Sequence, residues 1–410
     1  MITILANAQI FDGLSEDLVE GHIIVEGDFI RDVTRSQPAI TDARIVECGG
    51  RYLIPGLIDA HFHTYTPSFD ILRNDAMPPS LLTSHGIKIL SGALHRGFTT
   101  VRDAAGGDIG LRTAIDQKVI EGPRFFFSGK AISQTGGHGD PRPGDRFSPC
   151  GCAAGYDGSM SLVADGPDEV RKAVREELRK GATQIKLMLS GGVISPTDPM
   201  WMQQFTDEEV LAAVHEAATR RTYVMAHAHT DDAIRRCAEL GIRTVEHGTE
   251  IFEDTARLLA EKGTYVVPTL AVGKVLYDHG PRLGMPPLAL EKIRGVADQT
   301  AQSIGNCIAA GVKLGLGSDL LSHEFHGYQG AELALRGQYQ PAIDVLRSAT
   351  TINAEILQMT GKLGCIAPGA FADILVLEKN PLEDLAVFQA AEQFALIMKG
   401  GDIVSTSLKV

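Results

Sequence analysis

The segment LIDAHFH, residues 57–63, is an apolar run that ends in two histidines. A short apolar run bounded by a glycine, here Gly56, is typical of a buried β-strand. Because alternate residues of a strand face the same side, His61 and His63 are expected to point in the same direction. The segment therefore predicts a buried strand with two imidazoles at its carboxyl end.

Seven further short apolar runs follow, and amphipathic helical patterns alternate with them. In residues 166–182, for example, Val170, Val174 and Leu178 recur every four residues on one face, which predicts a helix packed on a sheet. Repeated βα units predict a parallel sheet, and eight of them predict an α/β fold of the (β/α)8 TIM-barrel type over residues 57–362. An open doubly wound sheet would need a glycine-rich phosphate loop after its first strand, and none is present. The seven runs are TTVRDA (99–104), RFFFSG (124–129), QIKLML (184–189), YVMAHAH (223–229), TVEHG (244–248), YVVPTL (265–270) and VKLGLGSD (312–319).

The two ends of the chain share a different pattern. Residues 1–56 read as short strands separated by turns, and the same texture returns in residues 363–410, for example in ADILVLE. We expect these ends to pair into a small β-sandwich beside the barrel. Such a domain would be discontinuous in sequence.

Composition limits the classes of partner. The chain of 410 residues is 44% hydrophobic and 22% charged, which is typical of a globular protein. Lys and Arg total 38 against 51 Asp and Glu, and a net charge of −13 gives no general attraction to nucleic acid or to anionic membranes. The six cysteines form no CxxC pair, so neither a disulfide framework nor a cysteine-type zinc site is indicated. A small-molecule partner is therefore expected.

The cellular location is predicted from two sequence features, membrane spans and a signal peptide. No run approaches the roughly 20 apolar residues of a membrane span. The N-terminus begins with a strand-like pattern rather than with a signal peptide. A cytoplasmic location is expected, and the alternative is a signal peptide that has been removed.

Residues suited to metal binding fall at the carboxyl ends of the predicted strands, where a βα barrel has its active site. A single histidine on a strand is more often a core residue than a ligand. Independent core histidines, however, have no reason to collect at the same ends of separate strands. Imidazole and carboxylate are the ligands that zinc and related divalent ions prefer, so the set predicts a metal centre. The candidates are His61 and His63 on the first strand, Lys186 on the fourth, His227 on the fifth, His247 on the sixth and Asp319 on the eighth.

Lys186 is unusual in this set because a cationic amine among metal ions is electrostatically unfavourable. Alone it would most often be an ion-pair partner at the barrel mouth. Reaction of the neutral amine with carbon dioxide gives an anionic carbamate, which can bridge two ions about 3.5–4 Å apart. The hypothesis is that Lys186 is such a bridge.

With these residues in order, the chain resembles the amidohydrolase superfamily with a binuclear metal centre, over nearly its whole length. The motifs LIPGLIDAHFH, AHAHT, TVEHG, GLGSD and PGAFADILVLEKNPL carry the resemblance, together with the lysine on the fourth strand. The segments KLMLSGGVISPTDP and VVPTL are similar to the imidazolonepropionase-related prolidases and metallo-carboxypeptidases, and to the ochratoxin-type amidohydrolases.

The resemblance implies two divalent metal ions, expected to be zinc, and a carbamate on Lys186 as their bridge. It implies a metal-dependent hydrolase that cleaves an amide whose amine side is an L-amino acid with a free carboxylate. A hydroxide between the ions would attack the scissile carbonyl, and Asp319 would handle the protons. A homo-oligomer is also implied, with octamers among the expected assemblies. The implied ligands are His61, His63 and Asp319 for the more buried ion, and His227 and His247 for the more exposed ion.

Substrate contacts are less closely determined by the pattern. His138 lies among glycines after the third strand, and the resemblance implies that it binds substrate. His229 follows His227 by two residues on the same face; the prolidase-like relatives are expected to have tyrosine there, which favours a neighbouring specificity. Trp201 lies on a long loop that is read either as a lid or as a subunit interface. No spacing selects among the basic residues near the mouth, which include Arg102, Arg142 and Arg146.

Three alternatives stay open beside an ochratoxin-like hydrolase of N-acyl amino acids. The first is an Xaa-Pro dipeptidase, and the second is a cyclic-amide hydrolase, both on the same metal centre. The third is a non-catalytic scaffold with the fold of the enzyme.

Overall fold

The structure is a computed structural model and describes residues 2–145, 155–195, 197–283, 285 and 287–409. The strands are β1 (Ile2–Ile10), β2 (Val19–Glu26), β3 (Phe29–Thr34), β4 (Arg44–Glu47), β5 (Tyr52–Pro55), β6 (Leu57–Phe62), β7 (Phe98–Asp103), β8 (Arg124–Phe127), β9 (Ala131–Ser133), β10 (Ser161–Val163), β11 (Ile185–Met188), β12 (Val224–Ala228), β13 (Thr244–His247), β14 (Tyr265–Val267), β15 (Ile374–Leu377), β16 (Phe394–Lys399) and β17 (Asp402–Thr406). The helices are α1 (Ile71–Asp75), α2 (Pro79–His95), α3 (Ile109–Asp116), α4 (Gly166–Arg179), α5 (Asp207–Thr219), α6 (Asp231–Glu239), α7 (Glu253–Lys262), α8 (Leu270–His279), α9 (Pro287–Ala310), α10 (Ala331–Arg336), α11 (Ala342–Arg347) and α12 (Asn353–Ile356), with a π-helical turn at Ser348–Ile352. Shorter 3-10 turns lie at His326–Tyr328, Leu385–Gln389 and Ala391–Gln393.

The central part of the chain is of the α/β class, as predicted. Six strands form a parallel sheet in the order β10-β9-β11-β12-β13-β14, and three more form the parallel sheet β6-β7-β8. Every residue of β6, β7, β11, β12 and β13 is buried, as expected for parallel strands covered on both faces.

The helices between these strands pack on the sheets through one apolar face. In α4, Val170, Val174 and Leu178 are buried, which confirms the face predicted from their spacing. The start of α5 is fixed by a capping box in which Thr206 and Glu209 bond each other's backbone N–H. Among the described helices, none is long and apolar enough to cross a bilayer.

The eighth predicted strand is not a regular strand. Within residues 312–319 the structure has only one isolated parallel bridge, from Val266 to Leu314. A side chain replaces part of the strand-to-strand hydrogen bonding. The Asn353 amide accepts from the Leu316 N–H at 3.1 Å and donates to the Leu316 carbonyl at 2.8 Å. That carbonyl also accepts from the Ala60 N–H at 2.9 Å, so the segment lies between β6 and β14 without forming a continuous ladder with either.

The two ends of the chain pair with each other, since β15 runs antiparallel to β5. They form one eight-stranded sheet in the order β17-β16-β15-β5-β1-β2-β3, with β4 bonded to β1, whereas two separate layers were expected for a β-sandwich. The sheet curls, because the Ile30 N–H donates to the Ala370 carbonyl at 2.8 Å and brings β3 back to the C-terminal segment. One connected sheet can therefore enclose its own core.

The strand β15 explains how this sheet joins the rest of the molecule. Ile374 and Val376 lie in the core within the curled sheet, whereas Leu375 and Leu377 lie in a cluster with Phe98 and other residues of the central part. Alternate residues face opposite sides of a strand, so an unbroken apolar run serves both cores. The domain limits at residues 56 and 362 stay a prediction.

Asn353 offers a test of how the irregular segment at 312–319 is held. Besides its bonds to Leu316, its amide donates to the Ile58 carbonyl at 2.7 Å. We expect Asn353→Ala to lower the free energy of unfolding by about 3 kcal/mol, because it leaves buried backbone groups without partners. Chemical denaturation measures the change. The control Gln302→Ala on the exposed face of α9 should stay within about 0.5 kcal/mol of wild type, and equal stability of the two variants would contradict the role of Asn353.

Candidate metal centre

All eight residues predicted for the site line one cavity of about 650 Å³. The residues come from the ends of different strands: His61 lies in β6, Lys186 in β11, His227 in β12 and His247 at the end of β13. Because the carboxyl ends of parallel strands meet at one edge, residues far apart in sequence converge there. The remaining four are His63, His138, His229 and Asp319.

Asp319 is at the centre of a first group of donor atoms. Its Oδ1 is 2.9 Å from His63 Nε2 and 3.4 Å from His61 Nε2, and its Oδ2 is 3.8 Å from His247 Nδ1. One donor atom from each of His61, His247 and Asp319 lies within 4.8 Å of the others. Burial disfavours the carboxylate, but the adjacent imidazole of His61 and the hydrogen bond from His63 hold the pKa of Asp319 well below its usual range. Asp319 is therefore ionised.

His227, His229 and His247 form a second group, in which donor atoms also lie within 4.8 Å of one another. The ring centroids of His227 and His247 are 4.6 Å apart. His247 belongs to both groups, so the two groups are adjacent. His229 therefore lies as close to the other donor atoms of this group as His227 does. The sequence spacing predicts His227 as a metal ligand and His229 as a substrate contact, but proximity alone does not separate the two roles.

Four imidazoles of these groups, those of His61, His227, His229 and His247, are neutral. Burial and the charge of Lys186 lower the pKa of His61 to about 4, and burial with the neighbouring His138 lowers the pKa of His229 to about 3. The pKa values of His227 and His247 lie well below the ordinary value, chiefly because of burial. Neutral imidazole is the form that binds metal, so imidazoles beside an ionised carboxylate fit divalent ions.

Lys186 lies in the interior, only 2% exposed. No described side chain or carbonyl hydrogen-bonds its Nζ. Burial lowers the pKa of this amine to about 8, although the nearby carboxylates of Glu246 and Asp319 oppose the shift. About a tenth of the amine is therefore neutral at pH 7, far more than for an exposed lysine, and the neutral amine is the form that reacts with carbon dioxide.

Glu246 is a site residue that sequence reasoning missed. Its Oε2 is 2.7 Å from His61 Nδ1, and its Oε1 accepts from the Arg102 guanidinium at 2.8 Å. Burial alone would raise its pKa, but Arg102 and His61 hold the pKa of Glu246 at about 2. An ionised Glu246 accepts from His61 Nδ1 and leaves Nε2 to face Asp319, as is usual for metal-binding histidines. The available signal was a charged residue inside the apolar run TVEHG.

Asp59 holds two ligand-bearing segments together and was also missed. Its Oδ1 accepts from the backbone N–H of His61 at 3.1 Å and of Ser318 at 3.0 Å. Its Oδ2 accepts from the Ser318 hydroxyl at 2.6 Å and from the Gln329 amide at 2.8 Å. The end of β6 is thereby tied to the segment that carries Asp319.

The two predicted substrate contacts lie beside the second group. The ring of His138 stacks on that of His227 at 4.1 Å between centroids, and its Nδ1 is 2.7 Å from the Ser195 hydroxyl. His229 Nδ1 is 2.7 Å from the hydroxyl of Thr249. Both histidines are therefore oriented by hydroxyl groups.

Neither Trp201 nor the described arginines among the candidates line the cavity. Trp201 is 76% exposed and does not line the cavity, whereas Ile194 of the same loop does. Arg102 is buried against Glu246, and Arg142 pairs with Asp140 at 2.6 Å, so neither faces the cavity. Arg146 lies outside the described residues.

Apolar side chains form most of the remaining wall. They come from α8, from α9, from the segments around β10 and β11, and from the loop after β6. The lining residues of this kind include Phe69, Leu72, Met160, Met188, Val272, Leu276, Ile293 and Leu321. The cavity thus combines a polar floor with an apolar wall, which suits a small molecule with one polar end.

Comparisons with known proteins identify the family. A family model described as the amidohydrolase family matches residues 52–404. The ochratoxinase of Aspergillus niger is 35% identical over 385 residues, which cover 86% of this chain and 75% of that protein.

Two solved structures extend the match to nearly the whole chain. A prolidase complexed with N-methylphosphonate-L-proline is 42% identical, with a TM-score of 0.95 over 99% of this chain and 100% of the other. The crystal structure of A. niger ochratoxinase is 28% identical, with a TM-score of 0.87 over 99% of this chain and 96% of the other.

Two buried threonines allow the roles of His247 and His229 to be separated. Thr269 Oγ1 is 2.8 Å from His247 Nδ1, and Thr249 makes the equivalent contact with His229. We expect Thr269→Val to weaken metal binding about ten-fold, because the ligand loses the partner that orients it. The matched variant Thr249→Val should keep wild-type metal affinity and raise KM. Titration with a competing chelator measures the affinity, and an equal loss in both variants would identify His229 as a ligand.

Proposed function

The chain belongs to the amidohydrolase family, and from this membership we propose that this metal-dependent amide hydrolase releases a C-terminal L-amino acid from an N-acyl amino acid or a dipeptide. The observation that carries the proposal is the convergence of the predicted histidines, Lys186 and Asp319 on one cavity with an apolar wall. The proposal has three parts: the barrel, the metal centre and the substrate.

We infer that the central strands close into a barrel. On either side of the β6-β7-β8 sheet, hydrogen bonds outside the named ladders connect it to the other parallel sheet. The Thr183 N–H donates to the Phe127 carbonyl at 2.8 Å, and the Gly315 N–H donates to the Val266 carbonyl at 2.8 Å. With the Ala60 to Leu316 bond, these contacts support a ring of eight segments around the site.

The proposed ligands are His61, His63 and Asp319 for the more buried ion and His227 and His247 for the more exposed ion. The neutral imidazoles and the ionised carboxylate described above suit zinc. Lys186 would contribute as a carbamate, formed when the neutral amine adds to carbon dioxide and releases one proton. Two divalent ions bound there would polarise the scissile carbonyl and lower the pKa of a water.

The residues of the chain would then move the protons. Asp319 is ionised and faces His61 and His63, so it is able to accept the proton of the attacking water. It would pass that proton to the leaving nitrogen, which departs as the amine of the amino acid. Glu246 holds His61 in one tautomer throughout and takes no proton itself.

The shape and chemistry of the cavity support the substrate class. His138 and His229 would contact the free carboxylate at the polar side, and the wall around Leu276 and Ile293 would contact the acyl group. A prolidase with a bound proline analogue is among the similar structures, which keeps an Xaa-Pro dipeptidase as the second candidate. A homo-oligomer remains part of the proposal, and the exposed Trp201 would suit either an interface or a lid.

The substrate class is tested with a panel of N-acyl-L-amino acids, Xaa-L-Pro dipeptides and cyclic amides, with detection of the free amino acid. We expect release from linear substrates and about a 100-fold lower kcat/KM when the free carboxylate is capped as an amide, since charged hydrogen bonds are lost. D-amino acid isomers serve as a control. Opening of cyclic amides alone would replace the proposal with the cyclic-amide alternative, and no turnover at all would favour the scaffold.

The carbamate is tested by reactivation of metal-free protein in buffer depleted of carbon dioxide. Added metal alone should restore little activity, and bicarbonate should restore the rest, because the bridging ligand cannot form without carbon dioxide. The Lys186→Ala variant should stay inactive and should bind less metal by elemental analysis. Full reactivation of wild type by metal alone would falsify the carbamate.

A further inference from the structure

The loop between β11 and α5 contains a buried carboxylate with no assigned role. Asp198 is only 2% exposed, although it lies on a loop that also carries the exposed Trp201. Its Oδ2 accepts from the Gly192 N–H at 2.9 Å and from the Gln204 amide at 3.4 Å. Its Oδ1 is buried without a hydrogen-bond partner among the described residues. A buried carboxylate with an unpaired oxygen lowers the stability of the fold, so a functional role would explain its presence.

Asp198 faces the imidazole of His138. The distance from its Oδ2 to His138 Nδ1 is 3.6 Å, and the Ser195 hydroxyl of the same loop is 2.7 Å from that nitrogen. The backbone N–H of His138 donates to the Gln204 side chain at 3.0 Å, so the loop contacts both the ring and its main chain. No described residue hydrogen-bonds His138 Nε2. With Nδ1 held by the loop, Nε2 is the ring nitrogen left for a ligand in the cavity.

The close approach of loop and ring depends on a glycine. A Cβ on Gly192 would lie 2.1 Å from the His138 ring, so a side chain at this position would displace the imidazole. The carbonyl of the adjacent Gly191 is 3.3 Å from His227 Nε2. The glycine pair thus lies beside the two stacked histidines, with Gly191 against His227 and Gly192 against His138, and Asp198 bonds to Gly192.

A lysine of α9 ties the loop to the opposite wall of the cavity. Lys292 Nζ donates to the carbonyl of Gly192 at 3.0 Å and to that of Asp198 at 3.4 Å. Gly192 and Asp198 are also joined directly, by the hydrogen bond from the Gly192 N–H to the Asp198 carboxylate. The neighbouring Ile293 lines the cavity. The loop, His138 and α9 are therefore one connected unit.

We infer that Asp198 is a positioning residue for substrate binding: it holds His138 Nδ1 on the loop so that Nε2 faces the substrate carboxylate. The inference rests on the proposed function, because it takes the carboxylate of an amino-acid leaving group as the ligand of His138. Asp198 acts through the imidazole and contacts no reacting atom. Its substitution affects binding more than chemistry, because the metal ligands lie on other segments.

The test compares Asp198→Asn with wild type on N-benzoyl-L-phenylalanine and on an Xaa-L-Pro dipeptide. Asparagine keeps the size of the side chain and an acceptor for the Gly192 N–H but removes the charge. KM should rise about ten-fold, the cost of weakening the hydrogen bond between His138 Nε2 and the substrate carboxylate, while kcat stays within about three-fold and metal content is unchanged. Asp168→Asn, at an exposed carboxylate on α4, is the matched control and should leave both constants unchanged.

A double-mutant cycle with His138→Gln separates positioning from a general structural role. In the His138→Gln background, Asp198→Asn should change KM by less than about two-fold, because residues that act through one another are not additive. Lys292→Met, which releases the loop from α9 without touching the ring, should raise KM in the same direction. Additive effects, or a fall in kcat and metal content with KM unchanged, would overturn the inference.

The outcome for wild type separates this inference from the function on which it rests. Wild-type protein that hydrolyses no linear amide overturns the proposed function and the inference together. Wild-type protein that hydrolyses N-benzoyl-L-phenylalanine, with an Asp198→Asn variant of the same KM, overturns the role of Asp198 alone.

Discussion

The pairing of Glu246 with Arg102 and His61 is the interaction on which the rest of the centre depends. The side chains of Glu246 and Arg102 are completely buried, and their ion pair spans 2.8 Å. Removal of one member of such a pair would leave a charge in the interior, which is far more costly than loss of a surface pair. The same carboxylate fixes His61, so a contact that the fold must keep also determines which nitrogen of the ligand faces the site.

The convergence of the candidate residues on one cavity could be predicted from the sequence, whereas parts of the backbone around them could not. The histidines of β6, β12 and β13 could be placed because strand ends of a βα fold converge by topology. The irregular segment at 312–319 could not be recognised, since its bonds to Asn353 come from a residue more than thirty positions later. The single curled sheet was missed for a related reason: period-two alternation reveals which residues share a face, but not whether two faces belong to one sheet.

The residues that orient the histidines of the site could also not be predicted from the sequence pattern. Thr249 and Thr269 are ordinary residues in sequence, and only their contacts with His229 and His247 give them importance. Asp198 is similar, because loop aspartates are common and most are solvated. The threonines are recognised by their hydrogen bonds to buried histidines, and Asp198 by a buried oxygen without a partner among the described residues, both of which are properties of three-dimensional structure.

The charges of the interior give a physical reason for a modified lysine at this position. Arg102, Glu246 and Asp319 carry charges of +1, −1 and −1, so with a neutral Lys186 the buried set has a net charge of −1. A protonated Lys186 would make the set neutral and would repel a divalent ion at close range. A carbamate would bring the net charge to −2 and place new oxygen donors between the two groups that share His247. The proposed modification would therefore make the buried set more negative and so more attractive to two divalent cations.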